Sequence, residues 1–328
     1  MPHTPLKTLS ELQADIELPN ESLIGLFRRV VEENRGKPLT YFKGRFKEYG
    51  LVEEEVNRFS NSLKNLGVRK GDRVAVLLPN CPQFVTTFFA VQSLGAIFTA
   101  FNPMYSSHEL TGLLRDCEPR VLVTLDLFVD KVEAVKKEVE IDHIIVTSVA
   151  EELPIFKKIL YKTITFWKKN SLEDSLSYKT LLEEGENKNI DKKIHPSNDV
   201  AVLQYTGGTT DEPKGAMLTH LNLISQVFAI NQWKKGLEKL PNMQYKIAGF
   251  LPYSHIFGLT SSFLWPIMEG ATIYLVPDPR KLEEIMKIVD KHGIHFLNFV
   301  PLFFQKIASH KKLSKYDFSS LHLCISGG

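Results

Sequence analysis

Between residues 71 and 147 the chain alternates short apolar runs with segments of helical spacing, and this alternation restricts its fold most. The apolar runs are long enough for strands that are buried on both faces. Strands that alternate with helices favour parallel pairing, because each helix carries the chain back to the same edge of the sheet. The sequence therefore predicts an α/β fold. The predicted strands are 74–78, 96–101, 121–124, 144–147, 246–251, 271–276, 294–301 and 321–326, and the predicted helices include 84–94, 109–116, 218–232 and 302–308.

The composition narrows the classes of protein that this chain can belong to. Its 328 residues exceed what one core usually needs, so we expect two packed subdomains. The hydrophobic share of 43% and the charged share of 24% are typical of a soluble globular protein. A net charge of +2 gives no electrostatic case for nucleic-acid binding. Cys81, Cys117 and Cys324 have no metal-ligand spacing, which favours reduced thiols in a cytoplasmic protein.

The stretch 203–220, LQYTGGTTDEPKGAMLTH, combines the groups that bind phosphate. Glycines let a backbone turn tightly and point several N–H groups at one place. Threonine hydroxyls donate to phosphate oxygens, and the Lys214 ammonium neutralises them. Apolar residues at helical spacing after Gly215 predict a helix whose N-terminal N–H groups point at the same anion.

Two other interpretations of this stretch compete with phosphate binding. A polar surface loop has the same composition. A Walker A loop needs Gly-Lys-Ser/Thr, but Pro213 precedes the lysine and Gly215 follows it, which excludes that motif. The whole string resembles the phosphate loop of the acyl-adenylate-forming enzymes, Tyr-Thr-(Ser/Thr/Gly)-Gly-Thr-Thr-Gly-x-Pro-Lys-Gly. Only Asp211 departs from that pattern, where the family usually has glycine.

The resemblance implies a set of ligands for this loop. ATP would be the nucleotide, with Mg²⁺ beside its phosphates and Thr206 in contact with the metal. The residues that would hold the β- and γ-phosphates are Thr206, Gly207, Gly208, Thr209, Thr210 and Lys214.

A second motif, 251–258 (LPYSHIFG), surrounds a single histidine. A lone histidine among apolar residues is commonly a satisfied core residue. The string is similar to the family's second signature, in which the histidine sits beside the acyl carboxylate. The resemblance implies that His255 and Lys214 act in catalysis together with Thr206. It also implies an acyl pocket bordered by His255, Phe257, Gly258, Val300 and Pro301, with the adenine against Gly327 and Gly328.

The reaction implied by this likeness has two steps. A carboxylate attacks the α-phosphorus of ATP to give acyl-AMP and pyrophosphate, and coenzyme A then displaces AMP. Gly207 and the Ser-His-Ile-Phe-Gly string are similar to fatty-acyl members, which favours a medium- or long-chain fatty acid. The alternatives are a ligase for aryl or short-chain carboxylates and an inactive fragment that binds nucleotide or acyl ligands.

Residues 153–169 differ from their surroundings. Apolar residues at helical spacing predict one apolar side, and five lysines leave the other side basic. Basic amphipathic helices bind anionic membrane surfaces, so the segment predicts peripheral contact with the inner face of the membrane. The alternative is a helix that packs on its own protein. The apolar residues are Phe156, Ile159, Leu160, Ile164 and Trp167, and the lysines are Lys157, Lys158, Lys162, Lys168 and Lys169.

The likeness runs from about residue 38 to the end, apart from this insert. It predicts a first α/β subdomain at 69–195 that carries the insert, with 170–198 as a polar linker. A second subdomain is predicted to consist of 1–68 and 196–328 and to carry the phosphate loop. The resemblance implies a small C-terminal domain that we do not expect within these 328 residues, so we expect either a homodimer or a missing C-terminal portion to complete the site.

Overall fold

The computed structural model describes residues 17–165, 172–206, 214–235 and 243–327. The α-helices within these residues are α1 (Leu23–Asn34), α2 (Tyr49–Asn65), α3 (Pro82–Ser93), α4 (Ser107–Cys117), α5 (Val129–Lys136), α6 (Ile155–Thr165), α7 (Tyr178–Glu184), α8 (His220–Lys235), α9 (Trp265–Met268), α10 (Leu282–His292) and α11 (Pro301–Ala308). The strands are β1 (Pro38–Phe42), β2 (Arg45–Glu48), β3 (Arg73–Leu77), β4 (Ile97–Ala100), β5 (Val121–Leu125), β6 (His143–Thr147), β7 (Leu176–Ser177), β8 (Val200–Thr206), β9 (Lys214–Thr219), β10 (Lys246–Gly249), β11 (Thr272–Leu275), β12 (Phe296–Phe299) and β13 (Leu323–Ser326).

The strands form two sheets, as the α/β prediction requires. One sheet has seven strands in the order β7-β6-β5-β3-β4-β8-β9, and every neighbouring pair is parallel except β8 and β9. The other has six strands in the order β13-β12-β10-β11-β1-β2, and only β1 and β2 pair antiparallel. Helices flank both sheets, so the predicted fold class is confirmed.

The membership of the sheets differs from two of the predictions. Strands β8 and β9 extend the seven-stranded sheet, so the arms of the phosphate loop lie in the first sheet rather than in a second subdomain at 196–328. The predicted linker 170–198 contains β7, which pairs with β6, and α7, which packs on α2. A two-residue strand is too short for an apolar pattern to reveal it.

Helix α3 occupies the core shared by the two sheets. All twelve of its residues are buried, so an uncharged sequence is required on every side of this helix. Its aromatic rings pack against both flanks: Phe27 stacks on Phe89 at 4.0 Å, and Phe88 meets Phe263 edge-on at 5.1 Å. Residues 84–101, which include no charged side chain, are therefore a core helix followed by β4. Within the described ranges, no helix combines the length and the apolarity that crossing a bilayer demands.

Helix α6 presents its apolar side outward. Ile155, Phe156, Ile159 and Leu160 have exposed fractions of 80%, 78%, 63% and 54%. The opposite side faces the protein, where the Tyr161 hydroxyl donates to Asp126. The described part of the predicted stripe thus does not pack on its own chain. The side chains of Ile164 and Trp167, and those of Lys162, Lys168 and Lys169, lie outside the described part.

Two buried histidines accept backbone hydrogen bonds. His220 begins α8, and its Nδ1 accepts the Leu23 N–H at the start of α1 at 3.2 Å. His295 precedes β12, and its Nδ1 accepts the Lys246 N–H at 3.1 Å. Burial lowers the pKa of each histidine to about 4. Protonation of either accepting nitrogen would remove its hydrogen bond.

We expect acid to destabilise this fold below the ordinary histidine pKa of about 6.5. The unfolded chain binds protons at both histidines there, whereas the folded chain binds them only near pH 4. The unfolded state therefore holds more protons in this window, so the free energy of unfolding decreases as the pH is lowered, by up to about 3 kcal/mol for His220. Urea unfolding at a series of pH values measures this slope.

A variant isolates the contribution of His220. His220→Asn keeps an acceptor for the Leu23 N–H but does not titrate, so we expect its stability to depend less on pH than that of the wild type. The half-buried Glu151, whose pKa burial raises, opposes the histidine slope equally in both proteins. Identical slopes in the two proteins would contradict the assignment.

Candidate functional site

The arms of the phosphate loop form an antiparallel hairpin. Strand β8 pairs with β9 so that Thr206 lies opposite Lys214, and both side chains are exposed at the end of the ladder. Gly215 lies where the Leu203 side chain crosses the hairpin, because a Cβ there would meet Leu203 Cδ1 at 2.7 Å. Thr206 and Lys214 thus form the last described pair before the loop. Gly207, Gly208, Thr209 and Thr210 lie outside the described residues, as does Asp211.

The helix predicted over 218–232 is present as α8, but it starts at His220 rather than directly after Gly215. Residues 214–219 are strand β9, because ladder pairing with β8 overrides the helical spacing of the apolar residues. Helix α8 begins only at His220, and the Thr219–Asn222 pair caps it: Asn222 N–H donates to Thr219 Oγ1, and Thr219 N–H donates to Asn222 Oδ1. The first N–H groups of α8 make hydrogen bonds within the protein, and the helix does not begin at the loop.

The second motif borders a cavity of about 420 Å³ at the carboxyl ends of the strands, which we call the acyl cavity. Ligands of open α/β sheets bind at this edge. Thr206 lies on the same cavity wall, so the structure brings the first phosphate-loop residue together with the histidine motif. The lining residues are Gln204, Tyr205, Thr206, Leu251, Pro252, His255, Ile256, Phe257, Gly258 and Val300.

The remaining predicted residues lie around this cavity. Pro301 is the first residue of α11, next to the lining residue Val300. Gly327 packs against the Phe257 ring, since a Cβ on it would lie 3.0 Å from Cζ. Lys214 is exposed on the hairpin and does not line the cavity. Gly328 lies outside the described residues.

A π-helix over Gly258–Leu264 follows the histidine motif and holds its end in place. Helical turns of this kind often mark functional sites. Gly258 is required by close approach, because a Cβ there would lie 2.2 Å from the carbonyl oxygen of Pro252. The Ser261 hydroxyl donates to the Phe257 carbonyl at 2.6 Å, which ties the cavity wall to the buried helix.

Tyr205 joins the acyl cavity to helix α4. Its hydroxyl donates to the Asp116 carboxylate. Burial raises the pKa of Tyr205, and the hydrogen bond to Asp116 raises it further. The phenol therefore stays protonated at neutral pH and forms a fixed part of the wall beside Thr206.

The sequence analysis missed two buried amide side chains next to the histidine motif. Asn80 and Gln204 both hydrogen-bond its backbone. Asn80 also borders a second cavity of about 430 Å³ between the two sheets, which we call the junction cavity. Ser254 lines it too, and its Oγ has no partner within the described part of the chain. Pro252 lines both cavities, so one segment separates them.

The described residues offer one predicted metal ligand, the Thr206 hydroxyl. No group of three His, Cys, Asp or Glu side chains suited to a metal occurs within the described ranges. Mg²⁺ usually takes one or two protein oxygens and fills its shell with phosphate and water, so a single hydroxyl beside a phosphate loop fits that mode.

Comparison with known proteins gives the family. The family model described as "AMP-binding enzyme" matches residues 27–328. A long-chain-fatty-acid–CoA ligase of Bacillus subtilis is 34% identical over 329 residues, which cover 97% of this chain and 57% of that protein. The chain thus spans little more than half the length of the curated relatives it matches.

Solved structures share the fold. An anthranilate CoA ligase solved with anthranoyl-AMP superposes with a TM-score of 0.81 at 24% identity, covering 94% of this chain and 55% of its own. A long-chain-fatty-acid–CoA ligase from Archaeoglobus fulgidus gives 0.77 at 22% identity, covering 95% and 58%. Together with the family match, the hairpin and histidine motifs described above show that this chain belongs to the AMP-binding enzyme family.

Proposed function

We propose that this chain is the nucleotide- and acyl-binding portion of a ligase that activates a medium- or long-chain fatty acid with ATP and transfers it to coenzyme A. The observation that carries the proposal is the acyl cavity, which Thr206 and His255 line together. A phosphate-binding residue and a carboxylate-binding residue must be neighbours if a carboxylate is to attack a phosphate.

In the first step a carboxylate oxygen bonds to the α-phosphorus, and the bond to the pyrophosphate oxygen breaks. This chain's residues position the reactants and neutralise charge. Lys214 neutralises the leaving phosphates, the Thr206 hydroxyl donates to them and would hold Mg²⁺, and His255 orients the carboxylate. The metal supplies further charge neutralisation when bound.

In the second step the coenzyme A sulfur attacks the acyl carbonyl, and AMP leaves. The acyl chain and the coenzyme A thiol must reach the same carbonyl carbon from different directions. We assign the acyl group to the acyl cavity and the thiol arm to the junction cavity, on the other side of Pro252.

The fatty-acid assignment is supported by the Bacillus subtilis relative, whose name specifies long-chain fatty acids. The anthranilate ligase is the counterpart for the aryl alternative. Competition between a fatty acid series and benzoate-like acids for binding to this chain with ATP separates the two. If the inactive-fragment alternative were correct, the chain would bind ligands, but a version extended to the length of its relatives would still form no acyl-AMP.

Replacing Lys214 should weaken ATP binding without unfolding the chain. Lys214 is exposed, so Lys214→Ala removes a charge contact to phosphate but little packing. A charge-assisted contact contributes roughly 1.5–3 kcal/mol, so we expect a loss of about tenfold or more in affinity. Thr209→Val should act in the same direction. Calorimetric titration with Mg-ATP measures the change. Lys137→Ala, which replaces an exposed lysine at the end of α5, serves as the control.

Unchanged ATP affinity in both loop variants would refute the phosphate-loop assignment. A fall in melting temperature with Lys214→Ala but not with Lys137→Ala would point instead to a structural role for this lysine.

We further propose that α6 makes peripheral contact with an anionic membrane. Four apolar side chains on its outer face are more than half exposed, while its inner face is anchored through Tyr161. Lys157 and Lys158 lie on this helix and supply the positive charge, while the polar cavity beside it is lined by four basic residues and four glutamates. An exposed apolar face flanked by cations suits the boundary between lipid headgroups and acyl chains.

Removing the apolar face should abolish vesicle binding. We expect the wild-type chain to co-sediment with phosphatidylglycerol-containing vesicles at low salt and to dissociate at high salt, since each lysine near the surface contributes about 1 kcal/mol. The double variant Phe156→Ser, Ile159→Ser should stay in the supernatant, whereas Leu51→Ser, an exposed apolar change on α2, should bind like wild type. Binding that Lys158→Gln and the double variant leave unchanged would rule out this surface.

A further inference from the structure

The segment that carries His255 makes its hydrogen bonds outside both sheets. Residues 250–255 follow β10, but they belong to no strand or regular helix. Phe250, Leu251 and Tyr253 are nevertheless buried. Buried backbone N–H and C=O groups need partners, so side chains from elsewhere must supply them.

Asn80 supplies two of these partners and makes a third hydrogen bond to the last residue of β10. It lies in the loop between β3 and α3 and is 4% exposed. Its Nδ2 donates to the carbonyl of Gly249 at 3.0 Å and to that of Leu251 at 2.8 Å. Its Oδ1 accepts the Tyr253 N–H at 3.1 Å. A single amide from the seven-stranded sheet thus binds a segment that extends the six-stranded sheet.

Gln204 holds the same segment from the phosphate-loop side. Its Nε2 donates to the Ser254 carbonyl at 2.8 Å and to the Tyr205 carbonyl at 3.1 Å. Gln204 stands two residues before Thr206 on β8, and Ser254 directly precedes His255. Buried hydrogen bonds from Gln204 therefore link the strand that carries Thr206 to the segment that carries His255.

We propose that Asn80 is a positioning residue, which sets the place of His255 against Thr206 through the backbone of 249–253. The inference rests on the proposed function, in which His255 and Thr206 must be correctly spaced to bring the carboxylate to the phosphate. The amide is suited to the role, since it combines two donors with an acceptor on a short side chain. An aspartate of the same shape would place an oxygen against two carbonyl oxygens, and it would bury a charge.

Asn61 provides a matched control. It is also a buried asparagine, and its Nδ2 donates to the carbonyls of Asn57, Glu186 and Lys188. Those contacts attach the segment before β8 to α2 and do not involve the acyl cavity. Asn61→Asp therefore carries a comparable structural defect without moving His255.

The experiment compares Asn80→Asp, Asn80→Ser and Asn61→Asp with the wild-type chain. Hydrogen–deuterium exchange with mass spectrometry reports on 249–258. Calorimetry measures affinity for Mg-ATP and for the stable acyl-adenylate mimic 5′-O-(N-dodecanoylsulfamoyl)adenosine. Asn80→Ser retains one hydroxyl donor and serves if the aspartate variant does not fold.

We expect both Asn80 variants to exchange faster over 249–258 and to bind the mimic about tenfold or more weakly, with ATP affinity changed less than about threefold. Asn61→Asp should melt at a lower temperature but bind both ligands like wild type. If the Asn80 variants lose only thermal stability, or if exchange over 249–258 is unaltered, the positioning role is overturned. A wild-type chain that fails to bind the mimic would instead contradict the proposed function, and the exchange data alone would then decide the role of Asn80.

Discussion

ATP–pyrophosphate exchange by the 328-residue chain is expected to be slower by about a thousandfold or more than exchange by the same chain extended to the length of its relatives. The chain spans 57% of its Bacillus subtilis relative, and its described residues offer Lys214 as the predicted cation for the leaving phosphates. Members of the family that the phosphate loop resembles have further charge partners, a magnesium-binding glutamate and an adenylation lysine, and we expect these in the part of the relative that this chain does not span. Each charge partner of a developing pyrophosphate is worth several kcal/mol, about two to three orders of magnitude in rate.

The measurement uses labelled pyrophosphate with purified short and extended proteins and a panel of fatty acids. Binding of Mg-ATP by the short chain serves as the control that its phosphate loop is folded. Comparable exchange rates would refute the expectation. A short chain whose rate rises steeply with protein concentration would show that self-association completes the site.

The alternation of strands and helices was sufficient to predict the architecture. Strand β5 is buried at all five positions and β3 at four of five, so their sequences are continuous apolar runs that periodicity detects easily. The predicted helix 218–232 overlaps α8, but its start included the end of strand β9, because Leu218 and Leu221 have helical spacing. Pairing between strands is a tertiary interaction, and local spacing does not encode it.

The site was predicted only where its chemistry needs particular side chains. Thr206 and His255 carry functional groups that motifs preserve, and the structure places both on the acyl cavity. Asn80 was visible only as a polar residue in a loop, since its partners lie about 170 positions further along the chain. Residues that act through the backbone of a distant segment leave no local pattern, and a structure is needed to find them.

A single methyl group at Gly258 is expected to destabilise the protein strongly and to displace the histidine motif. A Cβ at this position would lie 2.2 Å from the Pro252 carbonyl oxygen and 2.9 Å from its carbon. Both contacts are with backbone, so no side-chain rotation relieves them. Overpacking of this kind costs about 3 kcal/mol or more, and relief requires Pro252 to move away from the π-helix. Because Pro252 lies three residues before His255, the acyl cavity should change with it.

Gly112 offers the matched control for this substitution. It lies inside α4, where a Cβ would meet nothing within 4 Å. Alanine is the better helix former, so Gly112→Ala should stabilise the chain by about 0.5–1 kcal/mol. Chemical unfolding and titration with the acyl-adenylate mimic are measured on both variants. Gly258→Ala should lose both stability and mimic binding, and Gly112→Ala should lose neither. A Gly258→Ala protein with wild-type stability would show that the segment before His255 can shift freely, which the hydrogen bonds from Asn80 and Gln204 should prevent.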